Sequence, residues 1–226
     1  MHIKKNACLA TGFEPDDFEL LEKFEAGIAT DDLVDRLWRK AGRLIGKLGA
    51  DLFGDGLYHA DLWPEGDADD GDRGPFLWAR IKRVGKEQYA THIGVFLSPD
   101  LCNLSIDLEK DLLDAKQSGE ILEQVIEFFC SDLPSMLDSA THTDLQVWTD
   151  SQNVVAVDNF RTVDFTAFMN GNQDAGHPWP KVGYILSAHD VESFGDRWVD
   201  EYRQRAQCLV GIYDAMIGSF APFIDG

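Results

Sequence analysis

The run 57–63, LYHADLW, carries His59 and Asp61 with one residue between them. Side chains of a strand alternate between its faces, so these two share a side. There the carboxylate can orient the imidazole as a general base, or both can ligate one metal ion. His92 stands in the run YATHIGVFLS beside Gly94, a setting for a base in a pocket. His59, Asp61 and His92 are therefore the candidate catalytic residues, and a hydrolase with a His/Asp site is one function they allow. The plainer reading is a set of polar residues hydrogen-bonded along a strand face.

Other reactive chemistry is not encoded. The chain has no P-loop, no G-x-G-x-x-G, no G-x-S-x-G and no H-E-x-x-H. The acidic stretch 64–74 suggests calcium, but an EF-hand loop needs oxygen ligands at positions 1, 3 and 5, Gly at 6 and Glu at 12. Starting from Asp67 puts Gly71 at the fifth position and Trp78 at the twelfth. Cys8, Cys102, Cys130 and Cys208 form no C-x-x-C pair and have no His at zinc spacing. No metal and no cofactor is expected, and the thiols read as reduced, in a cytoplasmic protein.

Candidate binding residues fall in three places. Arg36, Lys40, Arg43 and Lys47 recur at helical spacing, opposite the apolar stripe Val34, Leu37, Trp38, Ala41, Leu44, Ile45 and Leu48. A solvated helix surface is the plain reading of that face, and a contact for phosphate or an acidic partner is the sharper one. Arg80 and Lys82 share one side of the run FLWARIKR. His177 and Trp179 lie in HPWP, within an irregular stretch of the kind that often binds ligands.

The elements that must position these residues are legible from periodicity. The runs 76–83, 89–98 and 101–109 alternate as a β-meander, with Gly85 in the first turn. Cys102, Leu104, Ile106 and Leu108 face one way and Asn103, Ser105 and Asp107 the other, which predicts one dry face, one wet face and antiparallel pairing. Further strands are expected at 57–63 and 181–188, and a hairpin at 145–160. Asp16 and Asp17 are placed to cap a first helix. Thr30 is placed to cap a second that Gly49 closes. A stripe from Val191 to Met216 predicts one continuous helix of some 28 residues, capped at Ser187 or Asp190 and ended by Gly218. The expected fold is a single α+β domain over 1–226. It has a mainly antiparallel sheet of about six strands, N-terminal helices, and a long C-terminal helix on one face.

Composition limits the partners. The chain of 226 residues has 40 acids against 20 bases, a formal net charge of −20. Such a field repels nucleic acid and anionic lipid at long range, and no apolar run is long enough to span a membrane. Ten of the bases lie between Arg36 and Lys86, whereas after Lys116 five bases face seventeen acids. The first expectation is thus a non-enzymatic interaction protein. Its acidic surface would engage a basic protein partner, as an inhibitor, an immunity-type protein or a DNA-mimic antagonist.

A second expectation comes from element order. An aromatic strand pair (GPFLWARI, then YATHIGVFLS with LCNLSIDLE) precedes a later strand, KVGYILSA, and a closing helix, DRWVDEYRQRAQCLVGIYDAMI. This order resembles the modified-base-binding N-terminal domains of McrB-type restriction subunits. The resemblance implies a nucleic-acid-binding module, for which the basic residues Arg36, Lys40, Arg43, Lys47, Arg80 and Lys82 read from the charge pattern would be the contacts, although the net charge disfavours nucleic acid as the partner.

Overall fold

Seven strands make one antiparallel sheet in a computed structural model that describes residues 13–63, 75–108, 124–125, 127–136, 144–149, 154–156 and 180–219. They are β1 (Tyr58–Trp63), β2 (Leu77–Arg83), β3 (Thr91–Leu97), β4 (Leu101–Leu108), β5 (Gln146–Trp148), β6 (Val154–Ala156) and β7 (Lys181–Ser187). Their order across the sheet is β1-β2-β3-β4-β7-β5-β6. The sheet is larger than the six strands expected, because both three-residue arms of the β5–β6 hairpin join it beside β7. Without them β7 would present a long unpaired edge.

The meander alternates as its sequence dictates. Leu77, Ala79 and Ile81 share a fully buried face with Ile93, Val95 and Leu97, and with Cys102, Leu104, Ile106 and Leu108. Each such aliphatic side chain withdrawn from water contributes ~1.5–3 kcal/mol, so this face holds the core together.

Helices cover the dry face. Helix α1 (Pro15–Glu25) begins one residue before the expected Asp16 cap. Glu14 is the N-cap and Asp17 closes a reciprocal capping box with it. Helix α2 (Asp31–Phe53) lies over β1 and β2, with Val34, Leu37, Trp38, Ala41, Leu44, Ile45 and Leu48 all buried. It runs past Gly49 and ends at Gly54, because Gly49 serves close packing under the Tyr58 ring rather than termination. A π-helical turn (Phe128–Asp132) leads into the short α3 (Leu133–Met136).

The single C-terminal helix is broken. Helix α4 (Ala188–Phe194) is capped by Ser187, whose hydroxyl accepts from the Asp190 N–H. A 3₁₀ turn (Gly195–Arg197) follows, then α5 (Trp198–Ser219) over β3 and β4. Gly195 has φ +53°, a left-handed value that stops a helix and that glycine adopts at no steric cost. Gly218, expected as the stop, lies inside α5. Among the described residues no helix is long and apolar enough to cross a membrane. The expected features in 64–74, 109–123 and 157–179, with His177 and Trp179, lie outside the described residues.

Candidate ligand-binding face of the sheet

Directly opposed residues of an antiparallel pair point to the same face, so the register sorts the outer face into rows. One row runs Asp61, Arg80, Gly94, Ser105, Gly183, Gln146. The row on one side opposes His59 to Lys82, His92 to Asp107 and Lys181 to Trp148. The row on the other side runs from Trp78 through Phe96 and Asn103 to Ile185. A glycine-rich floor thus lies between a charged row and an aromatic row.

The floor is low because two of its members have no side chain. A Cβ on Gly183 would collide with the Leu104 carbonyl oxygen and lie 2.6 Å from Ser105 Cα. Only glycine fits there. A Cβ on Gly94 would meet Ser105 Oγ at 3.3 Å.

The face expected to be wet is dry at its charged end. His92, Asp107, Ser105 and Trp148 are buried. Asp107 Oδ2 accepts from Lys181 Nζ at 2.9 Å and Oδ1 accepts from the Leu108 N–H at 2.8 Å. Burial is the largest influence on this carboxyl and pushes its pKa up. The Lys181 ammonium, the His92 ring and the two hydrogen bonds together outweigh it and hold the group below the usual carboxylate range. The aromatic end is open by comparison. Phe76 is exposed and stacks on half-buried Phe96, with ring centroids 5.9 Å apart, and half-buried Trp78 meets His92 edge-on at 5.7 Å.

Among the described residues, Asn103 and Gln146 beside the floor each have a polar atom with no hydrogen-bond partner. Asn103 Oδ1 and Gln146 Oε1 are both shut off from solvent and both unpartnered. Each forfeits ~1–3 kcal/mol of solvation until a donor reaches it. Thr91 Oγ1 shares this condition but points to the dry face.

The candidate catalytic residues share the outer face but do not converge. His59 is exposed and paired with Glu87 at 2.8 Å, and Asp61 is paired with Arg80 at 2.8 Å. Two strand spacings of about 4.8 Å separate His59 from His92. The groups that do meet are His92, Asp107 and Lys181. The alternation in the sequence puts Asp107 on the polar side of its strand, but only the register sets it opposite His92, and no local pattern marks Lys181. Among the described residues no group of three or more His, Cys, Asp or Glu is placed to hold a metal ion.

The candidate binding residues divide between the two sides of the sheet. Arg80 and Lys82 project from the outer face. Lys82 is buried there, with its ammonium donating to the Glu87 and Tyr89 carbonyls, so it braces the β2–β3 turn. Arg36, Lys40, Arg43 and Lys47 belong to α2, on the helix side. Lys40 is held by Asp17 at 2.6 Å and Glu14 at 2.9 Å. Arg36, Arg43 and Lys47 are exposed and, among the described residues, bear no ion pair. No family model matches the chain, and no curated protein matches it.

Proposed function

We propose that the protein is a non-enzymatic binding module that takes a planar, hydrogen-bonding ring such as a nucleobase on the outer face of its sheet. The single observation that carries this is the pair of unpartnered, solvent-free amide oxygens, Asn103 Oδ1 and Gln146 Oε1, beside the Gly94–Ser105–Gly183 floor. Acceptors in that state call for N–H donors, which exocyclic amines and ring imino groups supply. The shelf of Trp78 and Phe96 offers the π-face on which such a ring stacks. The charged row supports binding over catalysis, since Asp107 is committed to Lys181 and the Leu108 N–H. The element-order resemblance to modified-base-binding domains agrees with this ligand class.

The test is calorimetric titration of the whole chain with cytidine, 5-methylcytidine, adenosine, guanosine and thymidine. Binding of at least one of them, weakened tenfold or more by Gln146→Met and by Trp78→Leu, is expected. Absence of heat with every nucleoside at millimolar concentration would sink the reading.

A second reading, an acidic antagonist of a basic protein, rests on how the positive charge is spent. Arg80, Arg83, Arg197, Arg203 and Arg205 each already hold a carboxylate, so much of the acid excess has no cation to meet. Capture of one basic protein from host lysate, released by salt and independent of Gln146, would favour it. The free thiols of Cys102, Cys130 and Cys208 fit a reducing, cytoplasmic setting for either reading.

A further inference from the structure

Helices α1 and α2 form an antiparallel hairpin, locked by Lys40 of α2 on Glu14 and Asp17 at the start of α1. Their inner faces pack on the core, and their outer faces carry opposite charge. On α1, Asp16, Glu19 and Glu22 are exposed around one cation, Lys23, which Glu19 holds at 2.6 Å; on α2, Arg36, Arg39 and Arg43 are exposed. Among the described residues, Arg36 and Arg43 engage no carboxylate, in a chain with twice as many acids as bases. Where the two helices join, Ile28 is 72% exposed and Leu33 41% exposed, the most open apolar residue of the described chain beside another in the first turn of α2.

We propose that this hairpin face binds a second copy of the chain through a two-fold axis running between α1 and α2. Such a rotation lays each α1 on the partner's α2, so that Glu19 and Glu22 of one copy meet Arg36 and Arg43 of the other, twice. It brings Ile28 and Leu33 together with their own counterparts on the axis. An isologous interface requires this kind of self-complementarity, here an apolar contact on the axis at the joined end of the hairpin and matched charges along its length. The stripes agree in length. Seven residues from Asp16 to Glu22 and eight from Arg36 to Arg43 each rise about 10 Å at 1.5 Å per residue. Nucleic acid is the poorer occupant, because the acidic stripe alongside would repel phosphate. The surface lies on the opposite side of the sheet from the proposed ligand face and is independent of it.

The experiment is sedimentation equilibrium of the full chain with three samples. The first is the native chain, the second Arg36→Glu with Arg43→Glu, and the third Glu19→Lys with Glu22→Lys. The native chain is expected to dimerise, each variant alone to weaken the dimer about tenfold or more, and an equimolar mixture of the two variants to restore it. Thermal midpoints that match among all three samples, taken at a concentration dilute enough for the native chain to be monomeric, keep a folding defect from passing as dissociation. A native monomer throughout, a dimer indifferent to the reversals, or a mixture that fails to recover would each overturn the proposal. So would oligonucleotide binding by the native monomer that the arginine variant loses.

Discussion

Lys181 Nζ lies 2.9 Å from Asp107 Oδ2, at the buried end of the sheet's outer face. A buried carboxylate that keeps its charge must be compensated, and breaking such a pair from one side is costly. Lys181→Met is therefore expected to destabilise the fold by ~3–5 kcal/mol near neutral pH. The pH dependence separates this from a loss of packing. The folded-state pKa of Asp107 lies below its ordinary value of 3.8, so its stabilisation is fully present above that value and is lost as pH falls through the folded pKa. In Lys181→Met the protonated carboxyl no longer lacks a cation, so the gap from the native chain narrows on acidification. Urea unfolding across the acid range measures it, and a gap independent of pH contradicts this account.

Gln146 is expected to trade stability for binding. Its Oε1 is buried without a partner beside Gly183. Gln146→Met keeps the length and removes the orphan acceptor, so the unliganded protein should gain ~1 kcal/mol. The same change should weaken nucleoside binding. A variant that is less stable and binds equally well would mean that Gln146 is structural. Denaturation midpoints and titration calorimetry on one preparation decide it.

Much of this was legible in the sequence, and the misses share a cause. The α2 stripe from Val34 to Leu48 repeats every three or four residues, and a local rule suffices to bury it. The alternation in LCNLSIDL placed Asp107 on the polar side by a local rule as well. What no local rule supplies is register. Opposing His92 to Asp107, and bringing β7 beside β4, depends on which strands pair, and the chain between them is long. The break at Gly195 was hidden for a related reason. A glycine within an apolar stripe is tolerated as often as it stops a helix, and here the packing of α4 beside β7 decides it. Lys40 looked like its neighbours on α2, yet the capping box at the start of α1 claims it.

That distinction predicts different outcomes for two adjacent cations. Lys40→Ala strands Asp17, whose pKa burial already raises against the opposing hold of Lys40. A loss of ~1–3 kcal/mol is expected, because Asp17 is buried and also accepts from the Glu14 N–H. Arg43→Ala, on an exposed residue with no ion pair among the described residues of its own chain, should change the stability of the monomer by less than ~0.5 kcal/mol. Equal effects in chemical denaturation would remove the difference drawn between them.

Gly183 sets the depth of the floor, and the test is the smallest side chain. In Gly183→Ala the new Cβ would run into the Leu104 carbonyl and Ser105 Cα, both backbone atoms of a central strand. Neither can rotate aside, so β4 and β7 must separate, at a cost of ~1–3 kcal/mol for an overpacked core position. Gly94→Ala, whose Cβ meets the movable Ser105 hydroxyl at 3.3 Å, should cost less. Both should impair ligand binding, Gly94→Ala by setting a methyl group on the floor and Gly183→Ala by parting the strands that form it. If Gly94→Ala binds nucleosides as well as the native chain does, the ring does not lie over Gly94. The site would then shift toward Gly183 and Gln146, which the Gln146→Met titration would locate independently.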